Sequence, residues 1–169
     1  MAYVKFVTAA FSAAYPSLDK PDTTSAYPSN AYEVTALLQQ NDTDTLKALQ
    51  EAINQAAAAE WPNAKPDDYK SPLRNLEDGG IKVKFKSKSK PPMQDSGGNR
   101  LPDDVKIFGG DLIRVAGSAK AYNVGPTKGV TLYLNNVRLV EKRATGSDDF
   151  GGPEHGFVVG QPGSEEEVF

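Results

Sequence analysis

Residues 81–90 read IKVKFKSKSK. At period two the stretch divides cleanly: Ile81, Val83 and Phe85 fall on one side, and Lys82, Lys84, Lys86, Lys88 and Lys90 on the other. Successive side chains of a strand point to opposite faces. The spacing therefore predicts a β-strand with an apolar row inside and a row of ammonium groups outside. Like charges at alternate positions repel one another, and a polyanion lying along them turns that repulsion into attraction. A lysine-coated edge strand that blocks edge-to-edge pairing has the same local pattern. The rest of the chain separates the two readings.

Upstream, residues 3–15 (YVKFVTAAFSAAY) carry aromatic and β-branched residues and predict one strand, stopped by Pro16. Residues 16–30 are rich in Pro, Ser, Asp and Thr and predict a loop. YEVTALL, 32–38, predicts a second strand with Tyr32, Val34, Ala36 and Leu38 on one face. One helix pattern follows. Leu46, Leu49, Ile53 and Ala57 form a stripe at helical spacing, Asp42 or Thr43 can cap it, and Asp44 sits in its first turn. Trp61-Pro62 ends it, because the residue before proline is pushed out of the α region. The helix is expected to plug one end of a barrel.

Residues 62–80 form an excursion with PLRN at 72–75 and a turn at Asp78-Gly79-Gly80, and residues 91–104 predict a long mobile loop. A long strand starts at Asp111. Ile113, Val115, Gly117, Ala119 and Ala121 make its inner row, with Gly117 marking a bend; Arg114, Ser118, Lys120 and Tyr122 make its outer row. In VTLYLNNVRLVE, 130–141, Val130, Leu132 and Leu134 face in and Tyr133 faces out. The phase then switches, since Val137 and Leu139 are odd-numbered, and predicts a β-bulge at Asn135-Asn136. About five strands with one helix between the second and third predict an all-β chain: a five-stranded OB-fold barrel over residues 1–143.

The chain has 169 residues, enough for one domain with a real core. It has no cysteine, and His155 is its one histidine, so disulfides and thiolate-bound zinc are excluded and no metal or other cofactor is expected. There is no run of 18 apolar residues, and a soluble, non-exported protein without a membrane partner is expected. The pairs Asp67-Asp68 and Asp103-Asp104 lie in proline-rich loops and read as solvated turns rather than as the metal-holding carboxylates of a nuclease. The chain is not expected to be an enzyme. Its net charge of −3 hides a division: six of the 22 acids fall after Ser147, where there is no Lys or Arg, so residues 1–146 are net basic. A basic body with an acidic tail points to nucleic acid.

Single-strand binders combine a positive groove with aromatic platforms for bases. The outer rows supply both: the five lysines of 82–90, then Arg114, Lys120 and Tyr122, then Tyr133, with Arg138 near the bulge. Each also has a plainer reading. Strand tyrosines commonly pack against loops, and Arg114 has Asp111 and Glu141 within sequence reach as ion-pair partners. Nothing resembles a recognition helix, so binding is expected to be sequence-independent. Residues 144–169 are expected to form a disordered acidic tail. It ends in Ser-Glu-Glu-Glu-Val-Phe, so Glu165, Glu166, Glu167 and Phe169 offer a ring for a partner's pocket and carboxylates for its basic rim. The same end is a short polyanion able to occupy the lysine groove.

A set of short motifs occurs in order: AAYPSL at 13–18, YEVTALL followed by the helix, PLRN, FGG before DLIRV at 108–115, AYN at 121–123 and KGVTLYLNNV at 128–137. From about Phe6 to Phe150 the chain resembles the phage single-stranded DNA-binding proteins of the T7 type and the related phage family that shares their OB fold. PLRN departs from the usual PLRDGD-like form by a short insertion before Asp78-Gly79 and carries no functional weight. The resemblance implies non-specific single-stranded DNA binding in phage replication and recombination, annealing of complementary strands, and action in the cytoplasm of the infected bacterial host. It implies tail contacts with the phage DNA polymerase and helicase-primase, with Phe169 as the docking aromatic, and it admits a homodimer. Tyr122 and the basic residues of the 81–90 and 111–122 strands match the family's DNA face. An RNA-binding or RNA-annealing OB protein would use the same residue types and is the alternative.

Overall fold

The lysine stretch folds as a strand, Ile81–Ser87, with Ile81, Val83 and Phe85 buried, as the alternation requires. The computed structural model describes residues 3–23 and 29–143. In chain order the strands are β1 (Val4–Val7), β2 (Phe11–Ser17), β3 (Tyr32–Leu38), β4 (Leu73–Asn75), β5 (Ile81–Ser87), β6 (Met93–Gln94), β7 (Leu112–Val124) and β8 (Thr127–Glu141). Among the described residues there is one α-helix, α1 (Thr43–Glu60), between β3 and β5. Five strands close a ring: β2 pairs β3, β3 pairs β5, β5 pairs β8, β8 pairs β7, and β7 returns to β2. Every ring pairing is antiparallel except β5–β8, and the order is that of an OB barrel. β1, β4 and β6 are short strands outside the ring.

The stretch 3–15, expected as one strand, is two. Both lie antiparallel along β7, with Val4 opposite Ala119 and Phe11 opposite Ile113. The break has a local cause: the Ala9 amide leaves the ladder and donates to Thr45 Oγ1 of α1 at 3.0 Å. Pro16 does not end β2, which runs on to Ser17. The pairing with β3 shifts register between Ala14 and Ser17, and Tyr15 there adopts φ 46°. The irregularity takes up the residue that has no N–H to donate. PLRN is likewise not a plain excursion, because Leu73–Asn75 pair with Val83–Ile81. Residues 91–104 are not an open loop. β6 pairs with β8, Leu101 N donates to Met93 O, and the Asp95 carboxylate accepts from the amides of Gly97 and Asn99.

The bulge falls where the phase switch put it. Ala116 pairs with Asn136 and Gly117 with Leu134, which leaves Asn135 as the extra residue. Gly117 is needed there: a Cβ would lie 2.1 Å from the Tyr133 carbonyl oxygen and 2.6 Å from the Phe6 ring. The core runs through Phe6, Phe11 and Phe85, whose ring centroids are 5.7 Å (Phe6–Phe85) and 6.0 Å (Phe11–Phe85) apart. Leu49, Ile53 and Ala57 of α1 are buried in the same cluster, and the helix packs on β1, β7 and β8, closing the barrel as a plug. Asp42 stands at its N-cap position, but the carboxylate accepts from Gln39 N instead of a helix amide. Asp111, fully buried, accepts from Phe108 N and Arg143 N and pairs with Lys142, so its charge is compensated. No helix among the described residues is long and apolar enough to cross a membrane.

Candidate nucleic-acid interface

Two ladders bring the outer rows together. Lys86 of β5 is in register with Tyr133 of β8, and Tyr133 is in register with Ser118 of β7. Further along the same ladder lie Lys120 opposite Thr131 and Tyr122 opposite Gly129. Tyr122 and Tyr133 are half-buried and line a cleft of about 640 Å³. Lys86, Lys88 and residues 29–31 complete its walls. The third barrel strand, β5, and the loop after the first, at residues 29–31, line it, and both belong to the surface on which OB barrels bind extended chains. Tyr133 also meets Tyr3, at 6.2 Å between centroids. Lys120 Nζ donates to the Tyr3 hydroxyl at 3.0 Å and stands 4.6 Å from the same ring's centre. The hydrogen bond to Tyr3 raises the Lys120 ammonium above its ordinary value, so the group is firmly cationic.

The lysine row is not uniform. Lys86 and Lys88 line the cleft. Lys84 is half exposed and pairs at 3.0 Å with Glu33, a buried carboxylate that also accepts from Ser29 Oγ. Lys82 is half-buried and stands opposite Arg74 of β4. Lys90 lies past the end of β5, where its Nζ is 3.3 Å from Asp19. Asp19 also pairs with Lys106 at 2.8 Å, and hydrogen bonds from Lys106 and Lys90 hold its carboxyl below the usual range. Lys90 therefore faces a different cleft, lined by Leu18, Met93 and Leu101.

Arg114 and Arg138 sit beyond the bulge, directly opposite each other in the β7–β8 ladder. Arg114 pairs with neither Asp111 nor Glu141, which are taken by Lys142 and Arg143; its Nε donates to the Thr8 carbonyl at 2.9 Å. Arg138 donates from Nε and Nη2 to Gln94 Oε1 at 3.0 and 2.6 Å. Lys86, Lys88, Tyr122 and Tyr133 thus share one cleft, and Lys120 adjoins it through Tyr3. Lys82 and Lys84 continue the same ribbon, the two arginines lie at the far end of the ladder, and Lys90 is elsewhere. The tail, with Glu165, Glu166, Glu167 and Phe169, lies outside the described residues.

Four residues join this surface that the sequence pattern had not singled out. Tyr3 is 60 % exposed against Lys120 and Tyr133. Lys5 is in register with Ser118, Arg74 with Lys82, and Lys70 with Gly129. Period-two reading of YVKFV would have set Tyr3 and Lys5 opposite Val4 and Phe6. Lys70 and Arg74 gave no such signal, because their segment is too short to show a period. The arrangement can hold planar groups against the tyrosine rings and attract phosphates to several ammonium groups. Among the described residues, no group of three His, Cys, Asp or Glu side chains converges as metal ligands.

A family model described as Enterobacter phage Enc34, ssDNA-binding protein, matches residues 4–156. Among solved structures, the single-stranded DNA-binding protein from bacteriophage Enc34 in complex with ssDNA superposes with a TM-score of 0.68 at 14 % identity, over 83 % of this chain and 88 % of that one. The gp2.5 single-stranded DNA-binding protein encoded by bacteriophage T7 superposes with a TM-score of 0.64 at 25 % identity, over 91 % of this chain and 100 % of that one. Comparison with curated proteins gives no match.

Proposed function

Because the chain belongs to the family described as Enterobacter phage Enc34, ssDNA-binding protein, we propose that it binds single-stranded DNA without sequence preference and without catalysis. One observation carries the reading: two half-buried tyrosines, Tyr122 and Tyr133, open onto a single cleft whose rim holds Lys86 and Lys88. Every base has a π-face, so stacking on such rings tolerates any sequence. Lys82, Lys84, Lys120, Lys5, Lys70 and Arg74 extend the positive surface along the backbone path. Nothing in the cleft reads base edges as a recognition helix would.

The reading extends to a role in phage DNA replication and recombination, in the cytoplasm of the infected bacterial host. The tail residues Glu165, Glu166, Glu167 and Phe169 compete with DNA for the basic cleft and recruit the phage DNA polymerase and helicase-primase, and the family resemblance admits a homodimer. The acidic, aromatic-ended sequence and the family resemblance support these steps. Deleting residues 163–169 should raise DNA affinity and abolish polymerase binding; a fall in affinity would remove the tail as a competitor.

Fluorescence titration of oligo-dT at two salt concentrations tests the central reading. With about five phosphate contacts, log K should fall against log salt with a slope of roughly −3.5. A slope near zero, or a preference for duplex, would overturn it. Equal competition by oligo-U would move the reading to RNA.

A further inference from the structure

Arg114 and Arg138 stand directly opposite each other in the β7–β8 ladder. Like charges directly opposite in a ladder destabilise it. Neither guanidinium is in an ion pair among the described residues. Both are held by neutral acceptors: the Thr8 carbonyl for Arg114, and the Gln94 side chain for Arg138. Those bonds use one donor nitrogen of Arg114 and two of Arg138, so each fork keeps N–H groups to offer. The pair lines a cleft of about 370 Å³ with Gln94 and Asn136, over an apolar floor of Val7 and Ala116. Arginine, more than lysine, matches phosphate geometry through paired N–H groups.

We propose that Arg114 and Arg138 form a phosphate clamp for a backbone phosphodiester of the bound strand, separate from the tyrosine cleft. The proposal rests on the single-stranded DNA reading and divides that interface into two subsites. From Ser118, beside Tyr133, to Arg114 is four positions along β7, about 13 Å at roughly 3.3 Å per residue. From Tyr122 it is eight positions, about 26 Å on the same measure. The bulge at Asn135 lies between the two subsites. A short oligonucleotide fills the tyrosine cleft alone. One long enough to pass the bulge also engages the arginines, within the roughly 4–16 nucleotides that an OB fold covers.

The test is an oligo-dT length series titrated at two salt concentrations with the full chain, with Arg114→Gln/Arg138→Gln, and with Arg114→Lys/Arg138→Lys. The native protein should show a step to tighter binding once the oligonucleotide spans both subsites. The glutamine variant should lose that step, with long-oligonucleotide affinity falling at least about tenfold. Its salt slope should shrink by about 0.7 for each arginine removed. Its affinity for the shortest oligonucleotides should not change. The lysine variant keeps the charge, so it should keep the slope while losing part of the step, which a folding defect would not produce. Inorganic phosphate should compete no better than its ionic strength accounts for; stronger competition would assign the clamp to free phosphate and overturn the proposal. Equal weakening at every length, or a step that survives in the glutamine variant, would also overturn it. Failure of the native protein to bind any length would instead overturn the reading beneath it.

Discussion

The ring of Tyr122 rests against the backbone of Gly129, its partner across the β7–β8 ladder. A Cβ built on Gly129 would lie 2.4 Å from the Tyr122 hydroxyl oxygen and 2.5 Å from its Cζ. The missing side chain is thus the seat that holds the ring beside the cleft. Tyrosine packed this way gives up side-chain freedom before any ligand arrives, so less is lost on binding.

Gly129→Ala should unseat that ring. The clashing atoms are the far end of a side chain, so the ring can move aside and the fold should survive with a native-like melting curve. Oligo-dT affinity should fall toward that of Tyr122→Ala, a loss of about 1–3 kcal/mol for one stacked base. Unchanged affinity in the fluorescence titration would show that the seat has no part in binding.

Glu33→Gln should strengthen DNA binding. Glu33 is buried beneath the lysine row and holds Lys84 at 3.0 Å. The neutral amide releases Lys84, which is half exposed and readily hydrated. The salt slope should steepen by up to about 0.7 as one more ammonium group meets phosphate. A slope unchanged within error would mean that Lys84 lies off the strand's path.

Gly117→Ala should destabilise the barrel. The new methyl would meet the Tyr133 carbonyl oxygen at 2.1 Å, and a backbone atom cannot swing away as a side chain can. Overpacking of this kind costs about 1–3 kcal/mol. Urea denaturation should show a lower midpoint; an unchanged midpoint would mean that the bulge relaxes freely.

Asp19→Asn should flatten the acid limb of the stability curve. Lys106 and Lys90 depress the Asp19 carboxyl. A depressed carboxylate contributes stability that is present above its unfolded value, about 3.9, and is lost as pH falls through its lower folded value. The wild-type chain should lose that contribution in that window, and the variant should lack it at every pH. Parallel curves for the two proteins below pH 5 would contradict the assignment.

Several of these features were legible in the chain alone. Alternation placed Val83 and Phe85 inside and Lys84 and Lys86 outside, since strand geometry sends neighbours to opposite faces. The same parity put Tyr133 outside and the bulge at Asn135-Asn136, because an extra residue must shift the phase of all that follows. The bounds of β3 were read directly from YEVTALL. The count of about five strands, with one helix between the second and third, foretold the barrel. What parity cannot give is the neighbour. Lys90 continues the alternation on paper, yet β5 ends at Ser87 and Asp19, distant in sequence, captures it. Arg114 had Asp111 and Glu141 close by, and both carboxylates went to Lys142 and Arg143.

The order of residues thus determined which side chains face outward, because that follows from covalent geometry repeated every two positions. Only the folded chain decided which outward residues share a surface. Pairing between distant strands depends on register, bulges and the capture of one charge by another, and none of these is encoded within a single strand. That is why Tyr3, Lys5, Lys70 and Arg74 joined the interface, and why the two arginines came to stand opposite each other.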